Sequence, residues 1–129
     1  MNATILVVDD EESIRKLYQL EFMDEGYNVI LAADGQEALQ KVEQENPDLV
    51  ILDIRMPTVD GIEFLNRFMQ MGKKLPIIIN SAYTDYRMDL TTWAAETYMV
   101  KSSDLSELKA EVKRLLAGKM EIATNGEGS

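Results

Sequence analysis

The sequence predicts an α/β fold in which five short parallel strands form one sheet, with helices wound over both faces. Three observations carry that prediction. Ile5-Leu6-Val7-Val8 and Leu49-Val50-Ile51-Leu52 are short unbroken apolar runs, the pattern of strands covered on both sides. The segments between such runs have helical period. The two kinds of segment alternate as (βα)5 without internal repeat or long linker, which implies a parallel sheet with right-handed crossovers.

The first strand covers residues 4 to 8. A helix over 12 to 25 carries Ile14, Leu17, Tyr18 and Phe22 on one stripe and ends at Gly26. Residues 27 to 32 form the second strand. Asp34 and Glu37 have the spacing of a capping box ahead of Ala38, Leu39 and Val42. Pro47 closes that unit, and the third strand leads into Asp53. Pro57 marks the loop beyond it. Asp60 and Glu63 repeat the cap signature for a helix carrying Ile62, Leu65, Phe68 and Met69, with Gly72 at its end. Pro76 opens a fourth strand, Ile77 to Ile79, followed by Asn80 and Ser81. Residues 85 to 96 give a blurred helical stripe around Met88 and Trp93. Tyr98 to Val100 form a short fifth strand ending in Lys101. Asp104 and Glu107 cap a last helix with Leu105, Leu108, Val112, Leu115 and Leu116 on its stripe. Periodicity fades after 117, so residues 1–117 read as one domain and 118–129 as a flexible tail, a linker or an expression remnant.

Composition narrows the chemistry. The 129 residues suit a single domain, and 46% hydrophobic content suits a packed core. Without cysteine there is no disulfide or thiolate chemistry, and without histidine no imidazole ligand or general base. A net charge of −10 argues against gripping a phosphate backbone directly. No apolar run approaches a membrane span and no signal-peptide pattern opens the chain, so a soluble, cytoplasmic protein is expected.

In an open parallel sheet, ligands bind beyond the carboxyl ends of the strands. Four strands here end in functional groups: Asp9 and Asp10, Asp53, Ser81 and Lys101. Each alone is an ordinary cap, loop or surface residue, but four separate strands deliver them to one edge. Three crowded carboxylates repel unless a cation lies among them, and hard oxygen ligands favour Mg2+. Asp53 can attack phosphorus as an oxygen nucleophile, with Lys101 and the Ser81 hydroxyl left to meet phosphoryl oxygens. An ionised carboxylate needs no general base, in agreement with the absence of histidine.

These motifs resemble the receiver domain of bacterial two-component response regulators over roughly residues 3 to 117. The matching stretches are Val-Val-Asp-Asp-Glu-Glu at 7–12, Asp-Ile-Arg-Met-Pro-Thr-Val-Asp-Gly at 53–61, Asn-Ser-Ala at 80–82 and Tyr-Met-Val-Lys at 98–101. The resemblance implies a flavodoxin-like, CheY-like sheet of order 2-1-3-4-5. It further implies that Asp53 accepts phosphoryl from a sensor histidine kinase or phosphotransfer protein. Mg2+ would lie on Asp10, Asp53 and the Arg55 backbone carbonyl, with Asp9 acting through water. Ser81 and Tyr98 would be the switch residues. The face made by segment 85–96, strand five and the last helix would act on a partner or output domain, and is the candidate homodimer surface. Such a domain is a signalling module and not an enzyme, catalysing only its own phosphorylation and dephosphorylation. Ser102 departs from the family's usual proline, often preceded by a cis bond; before serine cis costs about 3 kcal/mol more than trans.

Competing readings meet specific obstacles. An aspartate-nucleophile phosphatase of the haloacid dehalogenase type would need a second acid where Arg55 stands. A flavin or nucleotide module would need a Gly/Ser/Thr-rich turn where Asp9-Asp10-Glu11-Glu12 stands. A degenerate receiver serving only as an interaction scaffold has no need of the full acid, hydroxyl and lysine set.

Overall fold

The computed structural model describes residues 2–53, 59–72, 75–81 and 97–128. The helix expected over 85–96, with Trp93, falls outside them, as do Arg55 and Pro57. In chain order the elements are β1 (Thr4–Val8), α1 (Glu12–Asp24), β2 (Asn28–Ala32), α2 (Gly35–Glu45), β3 (Leu49–Leu52), α3 (Val59–Met71), β4 (Ile77–Ser81), β5 (Thr97–Val100) and α4 (Ser106–Gly128). All strand pairs are parallel, in the order β2-β1-β3-β4-β5.

Side chains alternate across a strand, so each apolar run feeds two cores. Leu6, Val8, Val50, Leu52, Ile77 and Ile79 face α2 and α3, meeting Ala38, Val42, Phe64 and Phe68. Ile5, Val7, Leu49, Ile51 and Ile78 face α1 and α4, meeting Tyr18, Phe22, Leu108, Val112 and Leu116.

Local signals explain the helix ends. The Asp34 side chain accepts the Glu37 N–H at 2.8 Å, and Glu37 reaches back to the N–H of Ala33 at 3.0 Å. This is a capping box displaced by one residue on its return arm. α2 closes on Asn46, left-handed at φ 48, a conformation asparagine tolerates better than most residues. Gly26 and Gly72 follow α1 and α3 with positive φ, as helix-ending glycines do.

At the amino edge, Thr4 N–H donates to the Asp48 carboxylate at 2.8 Å, and Asp48 N–H donates to Thr4 O at 2.7 Å. This two-way contact fastens β1 to the entry of β3.

Several expectations are corrected. Leu17 is 42% and Met69 50% exposed; each sits at the rim of its helical stripe, where a shift of one position turns a side chain to solvent. α3 starts at Val59, so Asp60 lies within it and not at its cap. Asp104 accepts the N–H of Ser106 and not of residue 107, because α4 begins at Ser106. β4 keeps Asn80 and Ser81 inside the strand, both buried. α4 runs to Gly128, past the end of its apolar stripe. Lys119, Met120, Glu121 and Ala123 favour helix, against a cost of about 1 kcal/mol for each of Gly118, Gly126 and Gly128. The peptide bonds of the described residues, including Lys101–Ser102, are trans.

Candidate functional site

The hydrogen-bond ladder continues past β1 and β3. Asp9 N–H donates to Ala32 O at 3.1 Å and Asp53 N–H to Val8 O at 2.9 Å. Both residues are therefore held in strand-like register. Val8 pairs with Leu52 and Leu52 with Ile79, so Asp9, Asp53 and Asn80 form the next transverse row. Lys101 N–H donates to Ser81 O at 2.7 Å, tying the exit of β5 to the end of β4.

The three carboxylates and the lysine expected here converge. One carboxylate oxygen from each of Asp9, Asp10 and Asp53 lies within 4.8 Å of the others. Lys101 Nζ lies 2.8 Å from Asp9 Oδ2 and 3.2 Å from Asp53 Oδ2. These side chains are largely out of solvent: Asp9 is 2%, Asp53 5% and Lys101 17% exposed. Asp9 has both oxygens occupied, Oδ2 by Lys101 and Oδ1 by the Glu11 N–H at 2.9 Å. Its backbone carbonyl accepts from the Arg15 guanidinium at 2.7 Å.

Asp53 is the strained member. Burial first, then the neighbouring Asp9 charge, push its carboxyl up to about 6, against the pull of Lys101. Burial works against the Lys101 ammonium, but the Asp9 hydrogen bond and the Asp53 and Asp9 charges outweigh it and raise its pKa. Among the described residues, Asp53 Oδ1 is buried without a hydrogen-bond partner. A buried orphan oxygen is costly; within a cluster of hard oxygen ligands it fits a divalent cation such as Mg2+.

Ser81 is fully buried. Tyr98 stands in β5, but its side chain, like all of Arg55, is outside the described residues. Sequence reading missed the direct pairing of Lys101 with Asp9, which depends on which of two adjacent acids turns inward. It also missed the contact of Asn80 Nδ2 with Tyr18 Oη at 2.7 Å. The polar residue straight after three isoleucines marks the position in the sequence but not its burial or its partner.

Comparison with known proteins agrees with this geometry. A family model described as response regulator receiver domain matches residues 5–113. The chain is 44% identical over 119 residues to the alkaline phosphatase synthesis transcriptional regulatory protein PhoP of Bacillus subtilis, covering 90% of this chain and 49% of that protein. It is 40% identical over 118 residues to sporulation initiation phosphotransferase F of the same organism, covering 90% and 95%. It thus spans about half of one curated relative and nearly all of the other. Among solved structures, the response regulator TrrA of Thermotoga maritima in complex with Mg(2+)-BeF is 48% identical with a TM-score of 0.80, covering 88% of this chain and 98% of that one. A structure of the histidine kinase ThkA in complex with TrrA also matches, at 47% identity and a TM-score of 0.78, with the same coverage.

Proposed function

The chain belongs to the response regulator receiver domain family, and on that premise we propose that Asp53 accepts a phosphoryl group from a histidine kinase or phosphotransfer protein. The observation that carries this reading is the buried Asp53 oxygen, unpartnered among the described residues, set among two further carboxylates and beside Lys101.

The ionised Asp53 carboxylate attacks phosphorus. An oxygen–phosphorus bond forms, the bond from phosphorus to the donor imidazole breaks, and its electron pair leaves with the imidazole. Raising the Asp53 pKa strengthens the carboxylate as a nucleophile while leaving it mostly ionised at neutral pH. Lys101 is placed to exchange its carboxylate partners for a phosphoryl oxygen, and Ser81 offers a hydroxyl donor to another. Asp10, Asp53 and the Arg55 carbonyl would hold Mg2+, with Asp9 acting through water. The engagement of both Asp9 oxygens by protein donors supports that outer role. When bound, the cation supplies neutralisation of charge on the phosphoryl and carboxylate oxygens.

The phosphoryl group carries about −1.5 to −2 charge at pH 7 in place of the single charge of the Asp53 carboxylate. That change, sensed by Ser81 and Tyr98, would bias the face formed by segment 85–96, β5 and α4 between two arrangements. Its reader would be an effector protein or output domain, or a second copy docked on the same face. The match to half of a transcriptional regulator supports an output domain; the near-full match to a phosphotransferase supports a stand-alone relay. The proposed setting is the cytoplasm; among the described residues no helix is long and apolar enough to cross a membrane.

Incubation with acetyl phosphate and Mg2+ is expected to add one phosphoryl mass to the intact protein, and Asp53→Asn to abolish the addition. Labelling that persists in Asp53→Asn would refute the assignment.

A further inference from the structure

One buried polar contact lies outside this chemistry as so far described. Tyr18 and Asn80 are 3% and 4% exposed, and Asn80 Nδ2 donates to Tyr18 Oη. Burying an amide and a phenol costs free energy that a leucine–phenylalanine pair would not incur. The three preceding residues of β4 are all isoleucine, so the strand turns polar at one position only before Ser81.

That position is not arbitrary. Val7, Ile51 and Ile78 share a core with Tyr18 and Phe22. Two residues further along each strand, on the same face, stand Asp9, Asp53 and Asn80. Asn80 is therefore the lateral neighbour of Asp53 across the β3–β4 ladder, and the residue that carries Ser81. The Tyr18 ring is itself held edge-on against Phe22, with centroids 6.2 Å apart. Through Asn80, α1 grips the end of β4; through the Lys101 N–H to Ser81 O bond, that end also holds the exit of β5.

We propose that Tyr18 and Asn80 are a positioning pair for phosphoryl transfer. Their hydrogen bond fixes the carboxyl end of β4, and with it the Ser81 hydroxyl and the Lys101 ammonium, relative to Asp53. Neither residue touches the phosphoryl group; both act through Ser81 and Lys101. The inference rests on the reading of Asp53 as phospho-acceptor.

The test compares the full chain with Tyr18→Phe, Asn80→Leu and the double variant. Acetyl phosphate labelling rate, Mg2+ affinity and melting temperature are measured for each. The singles are expected to lose stability, because each strands a buried polar partner or leaves it unmatched. The double variant removes both polar groups and is expected to regain most of that stability. Labelling should nevertheless stay about three- to tenfold slower than wild type in all three, the size of one buried hydrogen bond, with Mg2+ affinity unchanged. Wild-type labelling rates in the singles, or recovery of rate together with stability in the double, would overturn the pair's role while leaving the acceptor assignment intact. A wild-type chain that takes no phosphoryl would overturn both.

Discussion

The two faces of the sheet are built from the same five strands but carry different loads. The face toward α2 and α3 is apolar throughout its buried cluster. The face toward α1 and α4 begins equally apolar at the amino end and becomes polar at the carboxyl end, where Asp9, Asp53 and Asn80 continue the rows begun by Val7, Ile51 and Ile78. The difference teaches that the site is not an appendage on loops. Its carboxylates grow from core rows on one face, while the other face, apart from Ser81 at the end of the Ile77 and Ile79 row, supplies stability with no chemistry attached.

Breaking the apolar face should therefore cost stability and spare the site. Phe64→Ala is expected to lose about 3–5 kcal/mol in urea denaturation, with the folded fraction keeping its Mg2+ affinity. Loss of that affinity would show that the faces are coupled. On the other face, Lys101→Met strands two buried carboxylates and should cost about 3 kcal/mol in metal-free buffer. Added Mg2+ should recover part of this, whereas it should recover none of the Phe64→Ala loss.

The faces also separate by pH. The folded Asp53 carboxyl titrates at about 6, above its ordinary 3.8. Between those values the folded protein keeps a proton that the unfolded chain has released. Stability is then highest below pH of about 4 for this group and falls as pH rises through about 6, by about 2–3 kcal/mol. Asp53→Asn should flatten that fall in metal-free denaturation, and Phe64→Ala should leave its slope unchanged. The smallest effect belongs to the capping box. Asp34→Ala is expected to cost about 1 kcal/mol, read as a lower urea midpoint with an unaltered labelling rate.

Much of this division could be read from residue order. Unbroken apolar runs located β1, β3 and β4, and the carboxylates after Val8 and Leu52 were placed by the rule that parallel sheets present strand ends together. The α2 start followed from Asp34 and Glu37. What escaped reading depended on contacts between distant segments. No local pattern distinguishes a strand-ending Asn80 from a buried one, because its burial is made acceptable by Tyr18, sixty-two positions away. The helical stripes overreached at Leu17 and Met69 because period alone does not set how wide a face the neighbouring sheet covers. α4 outran its expected end because helix propensity persists after the apolar stripe has stopped.

The two-way bond between Thr4 and Asp48 has a practical consequence for anyone wishing to attach a reporter. Strands of four or five residues separate the two edges of the sheet by roughly 15 Å. Turns at the amino edge are thus remote from the carboxylates, but they are not equivalent as attachment points. The turn at 46–48 is knotted into the sheet by Asp48 and would resist a graft, whereas the Gly26 turn has open space around it. A fluorophore or short peptide inserted there should report on the domain without disturbing its chemistry.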